Sequence, residues 1–454
     1  AAILKNSEKK NWMNDKVGMI SLGCAKNLVN SEQMLYLLRQ AGFDVFGRSI
    51  EDIERCDAVV INTCGFIESA KMEAIETILE VAEAKKAGQV KAIVVAGCLA
   101  ERYKEELLRE MPEIDAVVGV GSFTDIVEAV RAALEGKPFA RFGDLSLPDP
   151  ETERILATPA WWAYLKVAEG CDNRCAYCAI PDIRGPFRSR PMEKVIEEAR
   201  RLAGQGVKEL IVVAQDTTRY GLDLYGRRRL ADLLEALCRI DGIQWIRLHY
   251  LYPDEIDDDL IDLIAREEKI LKYLDIPIQH VSDPILRAMR RRGTKEEIET
   301  LFRKIRARIP GVVLRTSLIT GLPGEGEAEF EELCAFLREV RIERAGVFPF
   351  SPEEGTPAAE MDYPPIEVAR ERARIVEELQ ARIMDEFNRS RVGKIEAVLV
   401  EGRRGRFLYG RSPAESPDID GVVLLKGKAR PGEFVRARIT GERDGEPVGE
   451  IIPE

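Results

Sequence analysis

The sequence lacks the features of a membrane or secreted protein. No apolar run approaches the ~18–20 residues that a membrane helix needs, and residues 1–10 lack the apolar core of a secretory signal. The nine cysteines are an odd number in a chain of 454 residues, which argues against a disulfide framework. We therefore expect a cytoplasmic protein with no membrane association, whose thiols are reduced and serve chemistry.

The chain also lacks a basic surplus, a fixed-period repeat and a low-complexity tract. Its net charge is −12, whereas a protein whose main partner is nucleic acid usually carries excess positive charge. A local basic patch would still suffice for RNA, but the balance favours another substrate. The length and the hydrophobic share of 45% predict two or three domains with well-buried cores.

Histidine is scarce, since the chain contains only two. His249 and His280 both fall near the ends of predicted strands. Either imidazole could carry a proton. A packed or substrate-contacting side chain is the favoured interpretation for both.

What the sequence does contain is a compact group of thiols. Cys171, Cys175 and Cys178 form a C-x-x-x-C-x-x-C run in a glycine-bearing loop, directly after an apolar stretch at residues 161–167. Thiolates hold iron–sulfur clusters, and three of them would leave the fourth iron of a four-iron cube open to a ligand that is not protein. Structural zinc is the alternative, but it usually takes four ligands, and no fourth Cys or His lies nearby.

A second set of thiols lies in residues 17–143, which predict a doubly wound parallel sheet. Predicted strands (17–22, 58–62, 92–96 and 116–118) alternate there with amphipathic helices (31–41, 69–85 and 125–135). Cys24, Cys64 and Cys98 each follow a predicted strand and precede a helix. Because the functional crevice of such a sheet lies beyond the carboxyl ends of its strands, the three loops could bring these thiols to one point. The alternative is that they are small buried residues.

The remaining cysteines provide a comparison. They do not share the placement between strand and helix, and we interpret them as packing residues: Cys56, Cys238 and Cys334.

Residues 144–160 carry three prolines and little periodicity, so we interpret them as a linker. From residue 161 to residue 350, six βα-type units follow, with predicted strands at 161–167, 209–214, 245–249, 273–276, 313–319 and 344–350. Six units are too few for a closed eight-stranded barrel and predict a partial, open (βα)6 barrel. Gln215 and Gly321 follow two of these strands, where polar groups and glycines could meet a cofactor.

The two ends of the chain differ from this pattern. Residues 1–16 are polar and predict a disordered N-terminus. Residues 351–390 predict a connecting segment with a long, charged helix, which we interpret as solvated. Five short predicted strands in residues 391–454, separated by Gly and Pro turns, indicate a small antiparallel β-barrel of a kind that commonly binds RNA or another macromolecule.

The motifs resemble those of a known family. The Cys171 run, with Tyr177 before its last cysteine, resembles the motif of the radical S-adenosylmethionine (SAM) enzymes. The three blocks together are similar to the methylthiotransferases of that superfamily, which join an auxiliary-cluster domain, a radical SAM domain and a TRAM barrel. Four motifs resemble the branch that modifies an aspartate of a ribosomal protein: residues 21–27 (SLGCAKN), 62–66 (NTCGF), 97–102 (GCLAER) and 410–421 (GRS…DIDG).

One position departs from that branch, because Ala25 stands where it commonly has proline. The tRNA-modifying branch usually carries Gly-Cys-Gln-Met-Asn at the first cysteine, where this chain has Gly-Cys-Ala-Lys-Asn.

The resemblance implies two [4Fe-4S] clusters and S-adenosyl-L-methionine as cofactors. One cluster would be bound by Cys171, Cys175 and Cys178, and would cleave SAM to a 5′-deoxyadenosyl radical that removes hydrogen from the substrate. The auxiliary cluster, on Cys24, Cys64 and Cys98, would carry the sulfur that is methylated and transferred. Five further residues are candidates for contact with the cofactor: Tyr177, Gln215, Ser317, Gly321 and Phe348.

The implied reaction is methylthiolation of the β-carbon of an aspartate in a small-subunit ribosomal protein. It would also require an electron donor such as flavodoxin or ferredoxin, and a sulfur source. A tRNA adenosine is the alternative substrate within the same chemistry. An RNA-binding module with structural or redox-sensing clusters is the alternative from another functional class.

Overall fold

The computed structural model describes residues 15–46 and 56–453. The chain forms two compact units. The first runs to Ala157 and includes a short later segment, Asp182–Gly185, and the second comprises Thr158–Pro181 and the chain from Pro186 onward. Residues 1–14 of the N-terminus predicted to be disordered lie outside the described residues. Of the two that are described, Lys16 begins a strand.

A six-stranded parallel sheet forms the centre of the first unit, in the order β2-β1-β3-β4-β5-β6. Its strands are β1 (Lys16–Ser21), β2 (Asp44–Phe46), β3 (Ala58–Thr63), β4 (Ala92–Gly97), β5 (Ala116–Val118) and β6 (Phe139–Arg141). Its helices are α1 (Ala25–Gln40), α2 (Glu68–Lys86), α3 (Cys98–Tyr103), α4 (Glu105–Glu110) and α5 (Ile126–Leu134).

The central strands of this sheet are buried on both faces. In β3, Ala58 and Val60 belong to an apolar cluster with α1 and α5, whereas Val59 and Ile61 belong to a second cluster with α2, α3 and α4. Successive side chains of a strand point to opposite faces, so the helices cover both sides of the sheet. The predicted doubly wound arrangement is confirmed.

Some elements of this unit escaped prediction, among them the short helix α4. The edge strands β2 and β6 have only three residues each, too few for a periodic pattern. Helix α1 begins at Ala25, six residues before its predicted start. Its first turn contains Lys26 and Asn27, which are buried although they are polar. Because the buried residues of this turn are polar, the sequence shows no apolar stripe there.

The proline-bearing segment predicted as a linker has little regular structure, but its end is anchored to the first unit. Arg154 forms a buried ion pair with Glu32 on α1, at 2.5 Å. The backbone amides of Ile155 and Ala157 donate to the carbonyl and the side chain of the same glutamate, at 3.0 and 2.7 Å. This part of the segment is therefore fixed by a charged residue, which a composition argument does not reveal.

The second unit contains another six-stranded parallel sheet, in the order β14-β13-β12-β11-β10-β7. Its strands are β7 (Trp162–Lys166), β10 (Glu209–Val213), β11 (Trp245–Leu248), β12 (Ile270–Asp275), β13 (Val313–Thr320) and β14 (Arg344–Pro349), with a separate ribbon of β8 (Ala168–Glu169) and β9 (Arg188–Ser189). The helices between them are α6 (Ile180–Arg184), α7 (Met192–Gly204), α8 (Leu222–Tyr225), α9 (Leu230–Cys238), α10 (Asp258–Arg266), α11 (Asp283–Ala288), α12 (Lys295–Arg308) and α13 (Glu327–Val340).

Strands β7 and β14 are the two edges of this sheet and do not pair with each other. Six parallel strands joined by helices, without closure, are the open arrangement that the six βα-type units predicted.

The long helix α14 (Ile366–Arg391) corrects the interpretation of a solvated connection. One face of it is buried against the rest of the second unit, including Ala369, Ala373 and Val376. Gly321, at the end of β13, leaves room for this contact, since an added Cβ would lie 2.3 Å from the Cβ of Ala369. Among the described residues, neither α14 nor any other helix combines the length and apolar character needed to cross a bilayer.

A closed five-stranded barrel ends the chain, in the order β15-β16-β17-β19-β18. Its strands are β15 (Ile395–Arg404), β16 (Phe407–Arg411), β17 (Val423–Lys426), β18 (Phe434–Arg443) and β19 (Glu446–Ile451). Four of the pairings are antiparallel, as predicted, and β17 pairs with β19 in parallel.

Buried ion pairs join the barrel to the parallel sheet of the same unit. Glu209, at the start of β10, accepts from Arg247 on β11 at 2.8 Å and from Arg411 on β16 at 2.7 Å. All three side chains are almost completely buried. The two guanidinium groups hold the pKa of Glu209 below its usual value, although burial alone would raise it.

Candidate functional site

The first unit places Cys24, Cys64 and Cys98 at the carboxyl ends of three adjacent strands. Cys24 precedes α1 after β1, Cys64 follows β3, and Cys98 begins α3 directly after β4. Strand β3 pairs in parallel with both β1 and β4, so the three strand ends meet at one edge of the sheet. The structure therefore brings these predicted site residues to one place.

Glycines allow the three loops to pack closely. Gly23 has a φ of +86°, and a Cβ at this position would lie 2.6 Å from the Cβ of Cys64. A Cβ on Gly65 would lie 2.8 Å from the Cα of Leu99, the residue after Cys98. Any larger residue at these two positions would push the cysteine loops apart, which explains the Gly-Cys and Cys-Gly pairs in the sequence.

Electrostatics also connect the three thiols. Burial raises the pKa of Cys64 to about 11, and the neighbouring Cys98 and Cys24 contribute to the shift. Burial would also raise the pKa of Cys24, but the charges of Lys26 and Arg184 outweigh it and lower that pKa. Basic side chains at this edge thus favour a thiolate, which is the form that binds iron.

Arg184 was not singled out from the sequence. It lies six residues after Cys178 but belongs to the first unit. Its guanidinium donates to the Sγ of Cys98 at 3.2 Å and to the side-chain oxygens of Asn27 and Asn30, both at 3.1 Å. Nothing in the five-residue helix Ile180–Arg184, which also contains Asp182, marks this arginine as a site residue.

The second unit holds Cys171, Cys175 and Cys178 in the loop after β8. The amide of Cys178 donates to the carbonyl of Cys175 at 3.0 Å, and the amide of Ala176 donates to the carbonyl of Met289 at 2.9 Å. Burial raises the pKa of Cys171 to about 11 and raises that of Cys178 as well. The loop is therefore a tight turn fixed to the segment after α11, with its thiols largely shielded from water.

A buried arginine accompanies this loop and was also missed. Arg291 donates towards the Sγ of Cys175 at 3.7 Å and the hydroxyl of Tyr177 at 3.5 Å. Its guanidinium lies 4.3 Å from the ring centroid of Tyr252, and it donates to the carbonyl of Pro277 at 2.6 Å. In the sequence it is hidden within three consecutive arginines, residues 290–292.

A polar group follows β7 and β10 of the same unit. Glu169 accepts from Lys166 at 2.8 Å and from the amide nitrogen of Gln215 at 2.5 Å. The side-chain oxygen of Gln215 is buried and has no hydrogen-bond partner. A buried acceptor of this kind fits a ligand that brings a donor, such as an amine or a ribose hydroxyl.

The other predicted cofactor contacts divide into two groups. Tyr177 is buried beside Cys175, whereas Ser317 and Phe348 lie on partly open faces of β13 and β14. At Gly321, the backbone amide donates to Glu325 at 2.8 Å, and the helix α14 packs against it. Packing against α14 accounts for a glycine at this position, and its contact with the cofactor stays a prediction.

Both histidines are buried and hydrogen-bonded within the second unit. His249 pairs with the hydroxyl of Ser416 at 2.8 Å. His280 pairs with Glu325 at 3.1 Å and accepts from the amide of Ser282 at 3.1 Å. These contacts agree with the interpretation of packed imidazoles.

The donor chemistry of both triplets fits a four-iron cluster. Among the described residues, no three His, Cys, Asp or Glu side chains could hold a single metal ion. A four-iron cube makes a different demand, because each thiolate binds iron at a separate corner. Three thiols per triplet that form no disulfide, a basic residue that donates to one sulfur of each triplet and at least partial burial of every thiol meet that demand.

We expect the three remaining cysteines to be dispensable for both clusters. Cys56 and Cys334 are buried and Cys238 lies at the end of α9, so none of them belongs to the loops that hold the two triplets. A variant with serine at all three positions should retain the iron and sulfide content of the unmodified protein. Serine at Cys64 is the matched control and should lower that content. Loss of either cluster from the folded triple variant would show that a ligand has been assigned wrongly.

Three family models match the chain. Residues 16–119 match the family described as Uncharacterized protein family UPF0004, residues 165–337 match the Radical SAM superfamily, and residues 392–452 match the TRAM domain. A solved radical SAM methyltransferase, TsrM from Kitasatospora setae, is similar in fold, with a TM-score of 0.56 and 17% identity over 76% of this chain and 77% of that one. The match of residues 165–337, together with the full-length relatives described next, gives the class of the protein, that of the radical SAM enzymes.

Curated relatives match over nearly the whole chain. A ribosomal protein uS12 methylthiotransferase RimO from Pelotomaculum thermopropionicum is 52% identical over 97% of this chain and 100% of its own length. The protein of the same name from Acetivibrio thermocellus is 49% identical over 97% of this chain and 99% of its own. The chain belongs to the RimO family of radical SAM methylthiotransferases.

Proposed function

We propose that this protein transfers a methylthio group to the β-carbon of an aspartate in ribosomal protein uS12. The observation that carries the proposal is the presence of two separate sets of three thiols in loops that follow strands, with Cys98 and Cys175 buried and the other four thiols partly exposed. Relatives of the same length and domain content are named for this modification of uS12. The kind of residue and the carbon modified are the more specific part of the proposal.

When bound, the two [4Fe-4S] clusters and SAM would supply the radical that removes hydrogen and the sulfur that replaces it, chemistry that no side chain performs alone. Cys171, Cys175 and Cys178 would hold one cluster, and Cys24, Cys64 and Cys98 would hold the other. The protein's own contribution is to bind these groups, orient them and exclude water from them.

Several side chains of the second unit would perform that task. Arg291 stacks on Tyr252 and donates towards the sulfur of Cys175, which holds the cysteine loop and favours negative charge on its ligands. Glu169 accepts from Lys166 and Gln215, and could receive a ligand amine in place of one of them. These contacts would hold SAM against the cluster.

In the first unit, Arg184 would stabilise the auxiliary cluster as Arg291 does the other, by donating to the sulfur of one of its cysteines. Its donation to Cys98 and the positive charge of Lys26 near Cys24 would stabilise a group that carries three thiolates.

The reaction would further need electrons and sulfur from other molecules. We infer that an acidic electron carrier such as flavodoxin or ferredoxin supplies the electrons, and that sulfide or a sulfur-transfer protein supplies the sulfur. Because ribosomal proteins are its proposed partners, we also place the enzyme in the cytoplasm.

A competition experiment tests the choice of substrate. The reduced, cluster-loaded enzyme is offered uS12 and unmodified tRNA together, with sulfide and SAM, and both are analysed by mass spectrometry. We expect the mass of a methylthio group on an aspartate of uS12 and none on the tRNA. The net charge of −6 over residues 1–150 and −8 over residues 151–388 would favour a basic protein over a phosphate backbone.

The charge of the barrel favours neither substrate, because the net charge of +2 over residues 389–454 is neither acidic enough to attract a basic protein nor basic enough to attract tRNA. Methylthiolation of a tRNA adenosine, with uS12 unchanged, would contradict the proposal. A variant with alanine at Cys64 provides the negative control for both substrates.

A further inference from the structure

Strand β13 has one fully buried face and one partly open face. Thr316, Leu318 and Thr320 are completely buried, whereas Arg315 and Ser317, which alternate with them, are partly exposed. Because side chains alternate along a strand, the exposed set belongs to a single face. The pattern differs from that of β10, where all five residues are buried.

The open face begins at the cysteine loop of the same unit. Ile319 lies on it and packs against the apolar group that contains Cys175 and Tyr177. Arg315 is four residues back along the strand, which corresponds to a separation of about 13 Å at about 3.3 Å per residue. This separation is long enough for a cofactor at the cysteine loop and a substrate side chain next to Arg315 to lie side by side along the strand.

The neighbouring strand leaves space in front of Arg315. In β14, Gly346 is the residue beside Ser317 in the register, and a Cβ added to it would lie 3.5 Å from one terminal nitrogen of Arg315. Phe348, two residues further, is 46% exposed. The guanidinium of Arg315, whose side chain is 12% exposed, therefore lies beside a position without a side chain and near an exposed aromatic ring, where electrostatic attraction is stronger than in bulk water.

Most donors of Arg315 remain available. One terminal nitrogen donates to Asp275 on β12 at 2.8 Å, and among the described residues the guanidinium makes no other hydrogen bond. Asp275 also accepts from the backbone amide of Tyr250 at 3.1 Å, which holds the carboxylate in place. A guanidinium has five N–H donors, so Asp275 can orient Arg315 while a second carboxylate binds to the free edge.

We propose that Arg315 binds the carboxylate of the substrate aspartate and so determines which side chain is modified. This inference rests on the proposed function. The β-carbon of aspartate is bonded directly to its carboxylate carbon, so a cation that fixes the carboxylate also fixes the reacting carbon. An adenine base carries no such anionic group, and the same cation would give it no comparable hold.

The test uses two forms of uS12, with the target aspartate and with asparagine in its place. Methylthiolation and turnover-free binding are measured for each with the cluster-loaded enzyme. The unmodified enzyme should prefer aspartate by roughly 10- to 100-fold in kcat/KM, the range for one hydrogen-bonded charge. Arg315→Gln should lose most of this preference, in binding as well as in turnover, while its iron content and its cleavage of SAM in the absence of substrate stay the same.

Two further variants separate recognition from structure. Arg315→Lys keeps the charge without the fork and should retain part of the preference. Asp275→Asn removes the orienting ion pair and should lower the preference less than Arg315→Gln does. If Arg315→Gln slows both forms of uS12 equally and leaves their ratio unchanged, Arg315 has only a structural role and the inference fails. If the unmodified enzyme modifies neither form but does modify tRNA, the proposed function fails, and the inference fails with it.

Discussion

Replacement of Cys171 with alanine is expected to remove one [4Fe-4S] cluster and to abolish the cleavage of SAM. The three thiols of this loop would bind three irons of one cube, and loss of one ligand leaves an iron exposed to solvent. The measurement is the yield of 5′-deoxyadenosine, with the iron and sulfide content of the reconstituted protein determined in parallel. Cleavage should fall to the background of a protein without clusters.

Replacement of Cys64 with alanine is the matched variant in the first unit. It should remove the auxiliary cluster and stop methylthio transfer, but SAM should still be cleaved, because the cysteine loop of the second unit is intact. The two variants therefore predict opposite results in the cleavage assay. Full methylthio transfer by the Cys64 variant, or iron sufficient for only one cluster in the unmodified protein, would contradict the assignment of two clusters.

The second large effect is expected at Glu209, where the β-barrel meets the parallel sheet. Glu209→Gln leaves the guanidinium groups of Arg247 and Arg411 buried with less compensating charge, although Arg411 retains Glu401 at 2.9 Å. Loss of one partner from a buried charge pair typically costs about 3–5 kcal/mol. We expect a decrease of that order in the free energy of unfolding of the second unit.

Tryptophan fluorescence during denaturation in urea can measure this change. In a Trp12→Phe background every remaining tryptophan belongs to the second unit: Trp161, Trp162 and Trp245. The control is Glu450→Gln, which breaks an exposed pair with Lys426 in the same barrel and should cost less than about 1 kcal/mol. Equal effects of the two variants would show that the buried pairs do not stabilise the junction.

The contribution of Glu209 to the free energy of unfolding should decrease as the pH falls. The folded-state pKa of Glu209 is lowered, so its contribution to stability is complete above the ordinary glutamate pKa of about 4.3 and decreases as the pH falls towards the lower folded-state value. The unmodified protein should therefore lose stability on acidification in this range. Glu209→Gln should lack that part of the loss.

The cysteine loops were predictable from the sequence because the signal for each is local. An apolar strand, a glycine and a thiol follow one another within a few residues at Cys24 and Cys98. The alternation of strands and helices gave the two parallel sheets for the same reason. Once three such strands are adjacent in a sheet, the thiols converge without any further information.

The charged partners of these sites were not predictable, because their contacts join distant parts of the chain. Arg184 is separated by 154 residues from Asn30 and by 86 from Cys98. Glu209 and Arg411 are 202 residues apart. No hydrophobic period identifies a buried arginine, and its partner becomes known only when the tertiary structure brings the two together.

The position of Arg184 also affects how this protein can be divided or recombined. A fragment that ends at Ala157 would contain every strand of the first unit and the three thiols Cys24, Cys64 and Cys98. It would lack the guanidinium that donates to Cys98, Asn27 and Asn30, since this residue is encoded after the other cysteine loop. An exchange of the first 157 residues between two relatives would therefore succeed only if the recipient chain also supplied a matching residue at position 184. The first unit is therefore encoded by two separate stretches of the gene, and a recombination between them would separate Arg184 from the residues it contacts.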